Sequence, residues 1–251
     1  MVQMIKQPEG FKQIFWQNWR DLVFVHWEFD AEVVQRVLPP TLEPDLFQGK
    51  AYVSFVPFRM TGIRSVWLPP IPGTSSTLET NLRTYVKHRN NEQEPIPAVW
   101  FFSLEAQNAL AVILARIGYG CPYFKASMSL SKKFSGPDLY TYSATSSRSW
   151  PKPLPASSSV EAEFDQKTPL VQAAPGSLEY FLMERYALYG EKRGRLTYAR
   201  VAHSPYNFRR GNLKSVDCGL LKAAGLPDPQ GSALVHHAED VRVRIGSCGY
   251  V

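Results

Sequence analysis

The sequence predicts a mainly β chain of the α+β class with about three flanking helices, on three observations. Alternating apolar and β-branched segments recur nine times along the 251 residues, the period-two signature of half-buried strands. Twenty prolines break helices and central strands alike, so many short elements joined by fixed turns are expected. The composition, 44% hydrophobic and 20% charged, is that of a globular protein and excludes disordered, collagen-like and disulfide-scaffold classes. A chain of this length buries roughly three-quarters of its unfolded surface, so it needs no metal or disulfide to supply a core. One barrel or sandwich domain and two smaller domains both fit.

The strand candidates, in order, are Leu22–Phe29, Ala51–Met60, Thr80–Lys87, Ala98–Glu105, Phe124–Lys132, Leu139–Ser147, Val160–Phe164, Leu196–His203 and Val241–Ile245. Turn markers separate them: Phe47–Lys50, Pro69–Gly73 and Ser135–Asp138 supply permissive glycine, and the last two add φ-fixed proline. A first helix is expected to open at Asp30 as N-cap, bury Val33, Val34, Val37 and Leu38, and stop at Pro39. A second spans Gln107–Ile117 and ends at Gly118, with Ala109, Val112, Ile113 and Arg116 on one face. A third follows the Ser177 cap, with Leu178, Phe181, Leu182, Arg185 and Tyr186 at helical spacing. The proline- and serine-rich residues 149–158 read as a loop inside one β domain, because strands continue on both sides.

The net charge of +6 is uneven: 16 of the 28 basic residues but only 11 of the 22 acidic ones lie after residue 125. Lys192, Arg193, Arg195, Arg200, Arg209, Arg210 and Lys214 form a stretch with no acidic residue. Such a stretch, with Tyr198, Tyr206 and Phe208 as stacking platforms, is the basis of a nucleic-acid-binding alternative, although no recognised nucleic-acid motif accompanies it. The three cysteines, Cys121, Cys218 and Cys248, have neither disulfide-framework nor metal-ligand spacing, so a reducing cytoplasm is the expected compartment. Lys6, Glu9 and Lys12 interrupt the N-terminus where a signal peptide needs an apolar run. The longest aliphatic run, Ala109–Ala115, is far short of the roughly 20 residues that cross a bilayer.

The sharpest pattern is Glu79-Thr-Asn-Leu-Arg-Thr-Tyr-Val-Lys87. On a strand, Glu79, Asn81, Arg83, Tyr85 and Lys87 share one face, and Leu82, Thr84 and Val86 the other. The polar face is either an exposed ladder or, in a barrel covered outside by helices, the lining of a cavity that binds a small anion or keto acid. Along residues 123–130, Tyr123, Lys125, Ser127 and Ser129 share a face in the same way. Lys125 is a candidate Schiff-base amine only if that face points inward. His26, in a strand beside Trp27, either packs in the core or reaches the cavity. The adjacent pair His236-His237 points to opposite strand faces and has no ligand spacing, so no metal site and no cofactor is expected.

Phe24-Val-His-Trp27, Leu38-Pro39, Gly49–Phe58, Glu79–Val86, Trp100-Phe-Phe-Ser-Leu104 and Glu179–Tyr189 together resemble the bacterial YqjF-like family, in matching order from about residue 18 to 215. That family belongs to the acetoacetate decarboxylase-like superfamily. The resemblance implies a single domain over residues 1–251, built around an acetoacetate decarboxylase-like antiparallel β-barrel with an internal pocket. It also implies a pocket glutamate at Glu79 and an anion-holding arginine at Arg83. In acetoacetate decarboxylase the imine-forming lysine follows Gly-x-Pro; here Gly120-Cys121-Pro122 is followed by Tyr123, and a phenol forms no imine. Lys125 would have to take that part.

The expectation is a small-molecule-binding protein whose ligand is anionic or carbonyl-bearing, held by Asn81, Arg83, Tyr85 and His26. Lyase- or hydratase-like chemistry would fall to Glu79 as acid/base, Tyr123 as proton or hydrogen-bond donor, and Lys125 for an imine route. A non-enzymatic ligand-binding or sensor protein is the alternative, and the sequence leaves room for a homo-oligomer.

Overall fold

The computed structural model describes residues 11–67, 69, 75–89, 98–151 and 156–251. The Pro69–Gly73 turn, the interior of the 149–158 loop and the N-terminal residues up to Gly10 therefore fall largely outside the described residues. The chain opens with β1 (Gln13–Arg20), β2 (Leu22–Phe29), α1 (Ala31–Gln35), β3 (Leu42–Pro44), β4 (Ala51–Ser65), β5 (Ser76–His88) and β6 (Ala98–Ala106). Helix α2 (Ala109–Tyr119) leads into β7 (Tyr123–Phe134), β8 (Leu139–Trp150) and β9 (Ser157–Asp165). Then come α3 (Leu178–Met183), β10 (Ala187–Lys192), β11 (Arg195–Ala202), β12 (Phe208–Arg210), β13 (Asn212–Cys218), α4 (Gly219–Ala223), β14 (Leu234–Ala238) and β15 (Val241–Tyr250).

All fifteen strands join one sheet. Its pairing closes on itself through β4, β1, β15, β11, β10, β6 and β5, with β5 bonded to both β4 and β6. The expected barrel is thus a sheet that rings round and then continues past the ring. One wing runs from β6 through β7, β8 and β9 to β13, and the other from β4 through β2 and β14 to β12. The antiparallel expectation holds for most pairs but not for β6, which pairs in parallel with both β7 and β10. The reason is covalent: α2 and the long excursion through α3 return the chain in the same direction, as parallel neighbours require.

Strands β4, β5 and β6 are buried along both faces where they meet, because each face packs against a core. Val53, Phe55, Leu82 and Val86 pack on the wing side. Tyr52, Val56, Tyr85 and Val99 face the ring interior. A bulge in β6, where Leu82 pairs with Ser103 but Arg83 pairs with Phe101, skips Phe102 and reverses the alternation. It turns Phe101 as well as Leu104 toward the interior.

Several local expectations are corrected. Asp30 precedes α1 but makes no capping bond; its carboxylate pairs with Lys50 instead. Helix α2 runs two residues further than expected, to a left-handed Gly120, and buries only Val112 among its residues. Ile113, placed on the buried face by spacing, is exposed. Ser177 does cap α3 by accepting from Tyr180 N at 3.1 Å, yet the helix stops at Met183, so Arg185 and Tyr186 lie beyond it, between α3 and β10. Among the described residues no helix is long and apolar enough to cross a membrane.

Candidate functional site

The ring encloses a cavity of about 480 Å³. Strand β5 supplies its polar wall: Glu79, Asn81 and Arg83 all line it and are only 3%, 4% and 8% exposed. This is the alternation read from the sequence, fixed inward because Thr80, Leu82 and Thr84 are buried on the wing side. Apolar neighbours complete the wall. Phe58 pairs with Glu79 across β4, and Leu104 with Asn81 across β6.

Tyr123 enters from the start of β7 and donates its hydroxyl to Glu79 Oε2 at 2.8 Å. The turn that delivers it is tightly built. Gly120 ends α2 at φ 69°, and a Cβ there would lie 2.5 Å from the Glu191 carbonyl oxygen. Gly190 closes the other side, since a Cβ on it would lie 2.6 Å from Tyr119 O. Pro122 O accepts from Leu104 N at 3.1 Å, which locks the register that sets Tyr123 beside Leu104.

Burial pushes the Glu79 carboxyl from 4.5 up to about 7; the Tyr123 hydroxyl and the Asn81 amide act the other way, and the nearby Glu105 charge adds to the rise. Burial and the adjacent carboxylate hold the Tyr123 phenol well above its ordinary value, so it stays a donor. Cys121, also on the wall, is held as a thiol by burial. Asn81 Oδ1 and Arg83 Nε are buried with no hydrogen-bond partner among the described residues. Both groups therefore have bonding capacity to offer a ligand.

The remaining expected residues fall elsewhere. Tyr85 shares the inward face but lies beneath the cavity floor, bonded to Ser54 Oγ at 2.6 Å and to Leu182 O at 2.8 Å. His26 is in the same buried chain, 2.6 Å from Ser54 Oγ. Burial, with His236 and Arg83 nearby, lowers its pKa well below the usual value, so it is neutral. Neither residue lines the cavity. Lys125 is exposed and off the cavity wall. Strand β7 pairs with β6 only as far as Ala106; beyond that the face carrying Tyr123 leaves the ring and opens to solvent. Lys87 likewise is exposed, paired with Glu43. Among the described residues no lysine lines the cavity.

The wall also includes residues outside the expected site set. Arg185 reaches the floor and pairs with Asp45 at 2.7 Å. Tyr119 and Gln17 also line the cavity. Arg185 carries a signal in its place on the stripe with Leu178, Phe181 and Leu182, where a charged residue stands out on an apolar face. Of the aromatic residues expected as stacking platforms in the basic stretch, Tyr206 and Phe208 are buried, while Arg210 pairs with Glu179 and Lys214 with Glu163. His236 and His237 are buried against Phe208 and Tyr140. Among the described residues no group of three or more His, Cys, Asp or Glu side chains is placed to hold a metal ion.

Residues 16–242 match the family model DUF2071, described as "Uncharacterized conserved protein (COG2071)". The chain is 33% identical over 235 residues to the uncharacterized protein YqjF of Bacillus subtilis (strain 168), covering 94% of this chain and 91% of that one. Among solved structures it resembles the acetoacetate decarboxylase of Legionella pneumophila, at 13% identity and a TM-score of 0.63, over 100% of this chain and 92% of that one. It also resembles an acetoacetate decarboxylase-like enzyme from Sphingomonas wittichii RW1, at 12% identity and a TM-score of 0.64, over 100% and 98%. A third likeness is to the enduracididine biosynthesis enzyme MppR complexed with pyruvate, at 14% identity and a TM-score of 0.62, over 98% and 93%. The fold is therefore acetoacetate decarboxylase-like.

Proposed function

The chain belongs to the DUF2071 family, and on that premise we propose that its cavity binds a carbonyl-bearing organic anion and that Glu79 and Tyr123 move a proton on it, in a lyase- or hydratase-like reaction. The observation that carries this reading is the Glu79–Tyr123 pair on the cavity wall, with the carboxyl raised to about 7. Near neutral pH both of its protonation states are populated, which is what a general acid/base needs.

As carboxylate, Glu79 takes a proton from the carbon beside the ligand carbonyl. The electron pair moves onto the carbonyl oxygen, and the Tyr123 hydroxyl, released from Glu79, donates to that oxygen. Glu79 then returns the proton to carbon or passes it to a leaving group. Arg83 holds the ligand's anionic group through its free Nε. The relative's imine route is not part of this reading, because Tyr123 stands where the lysine would and Lys125 faces solvent. The pyruvate in the MppR complex supports a carbonyl acid as the ligand class.

The test is exchange of the protons beside the ketone of bound oxo acids into deuterated water, followed by NMR. Wild type is expected to exchange them, and Glu79→Gln to do so about 10²- to 10⁴-fold more slowly. Equal rates would refute the proton-transfer role. Binding without exchange would leave a ligand-binding protein rather than an enzyme.

A further inference from the structure

The cavity has two separate poles. Glu79 and Arg83 are four residues apart on one face of β5, about 13 Å of strand at roughly 3.3 Å per residue. Their surroundings differ accordingly. Glu79 is acted on by Tyr123, Asn81 and Glu105. The Arg83 guanidinium lies 5.4 Å from the Phe24 ring and 5.9 Å from the Tyr85 ring, donates to Leu182 O at 3.4 Å, and acts on His26, His203 and Tyr206. Between the poles stands Asn81, flanked on the neighbouring strands by the apolar Val56 and Leu104, which also face the interior. At the mouth, α2 presents Leu110 and Leu114, which are 46% and 59% exposed while also lining the cavity.

A ligand in which carbonyl and carboxylate are adjacent cannot engage both poles. Where the two side chains stand straight out from the strand and keep the spacing of their backbone positions, two hydrogen bonds of about 3 Å each leave roughly 7 Å for the ligand itself to span. The volume agrees: at about 30 Å³ for each water-sized group, a molecule the size of pyruvate would fill only about a third of the cavity. From this geometry, and resting on the reading of the site given above, we infer that the substrate class is an elongated oxo acid. Its carboxylate sits on Arg83 at the closed end. A spacer of about four or five methylenes runs past Val56 and Leu104 on either side of Asn81, its ketone lies beside Tyr123 and Glu79, and the rest of the molecule points toward α2.

The methyl-ketone series from pyruvate and acetoacetate through levulinate, 5-oxohexanoate, 6-oxoheptanoate and 7-oxooctanoate tests this by titration calorimetry on the whole protein. Affinity is expected to rise about fourfold per added methylene up to the last two members. 6-Oxoheptanoate should bind more tightly than heptanoate, and Tyr123→Phe should abolish that difference. Arg83→Met, with folding checked by circular dichroism, should weaken both acids. A maximum at pyruvate or acetoacetate, or a ketone preference unmoved by Tyr123→Phe, would overturn the elongated class while leaving a carbonyl-acid site. If no oxo acid of any length binds, the reading of the site itself fails.

Discussion

The Tyr123 hydroxyl donates to Glu79 Oε2 at 2.8 Å across the junction of β5 and β7, and this bond ties the acidity of the site to the stability of the fold. Glu79 titrates at about 7 in the folded chain against 4.5 when exposed. Between those values the folded protein holds a proton that the unfolded chain has released. The contribution of Glu79 to stability therefore falls as pH rises from about 4.5 through about 7, then levels off. Glu105, also raised to about 7 by burial, adds to the same slope. Urea unfolding at pH 5 and pH 8 should show Glu79→Gln gaining on wild type at the higher pH by about 2–3 kcal/mol, from about 1.4 kcal/mol per pKa unit. No differential gain would mean that Glu79 is solvated.

Glu105 lies on the opposite face of β6 from the cavity and accepts from Arg148 Nε at 2.9 Å and Nη2 at 2.6 Å. Both side chains are almost wholly buried, and Arg148 also stacks 3.7 Å from the Phe124 ring centroid. Glu105→Ala leaves that guanidinium without its counter-charge and should cost about 3–5 kcal/mol in chemical denaturation at pH 8, above the raised titration of Glu105, where the carboxylate is ionised. The double variant Glu105→Ala with Arg148→Met should recover a substantial part, because the uncompensated charge goes with it.

The Gly120 turn is a second fixed point. Gly120→Ala puts a methyl group 2.5 Å from Glu191 O at a positive φ, a cost of about 1–3 kcal/mol. Since the same turn aims Tyr123, the variant should also weaken oxo-acid binding, measured beside its melting temperature. Loss of stability with unchanged affinity would show that Tyr123 is positioned from β6 alone.

Lys125 is solvent-exposed, so borohydride added with pyruvate or acetoacetate should leave no adduct there by intact mass and peptide mapping, and Lys125→Gln should bind oxo acids like wild type. An adduct at Lys125 would restore the imine route.

Much of this site is legible in the sequence because alternation on a two-sided buried strand is a strong constraint: Glu79, Asn81 and Arg83 face inward together. Leu22–Phe29 matches β2 to the residue for the same reason. Strands that owe their existence to pairing rather than burial are not legible. Strand β13 is mostly polar and solvent-facing, held by its ladder with β9. Strand β1 lacks alternation because it is half-buried on both faces between β4 and β15. The fates of Tyr85 and Lys125 depend on where the cavity floor lies and where β7 leaves the ring, and strand period carries neither. Arg185 falls on the spacing of the inward helix face although the helix ends before it, so the spacing places the residue but not its backbone.

On the proposed function Glu79 is a buried acid/base held by Tyr123. Carbon-13 NMR titration of the labelled Glu79 carboxyl, assigned with Glu79→Gln, tests it most directly. The structure predicts a midpoint near 7, raised further in Tyr123→Phe because the lost hydrogen bond had favoured the ionised form. A midpoint at the ordinary carboxylate value of 4.5, unmoved by Tyr123→Phe, would contradict it.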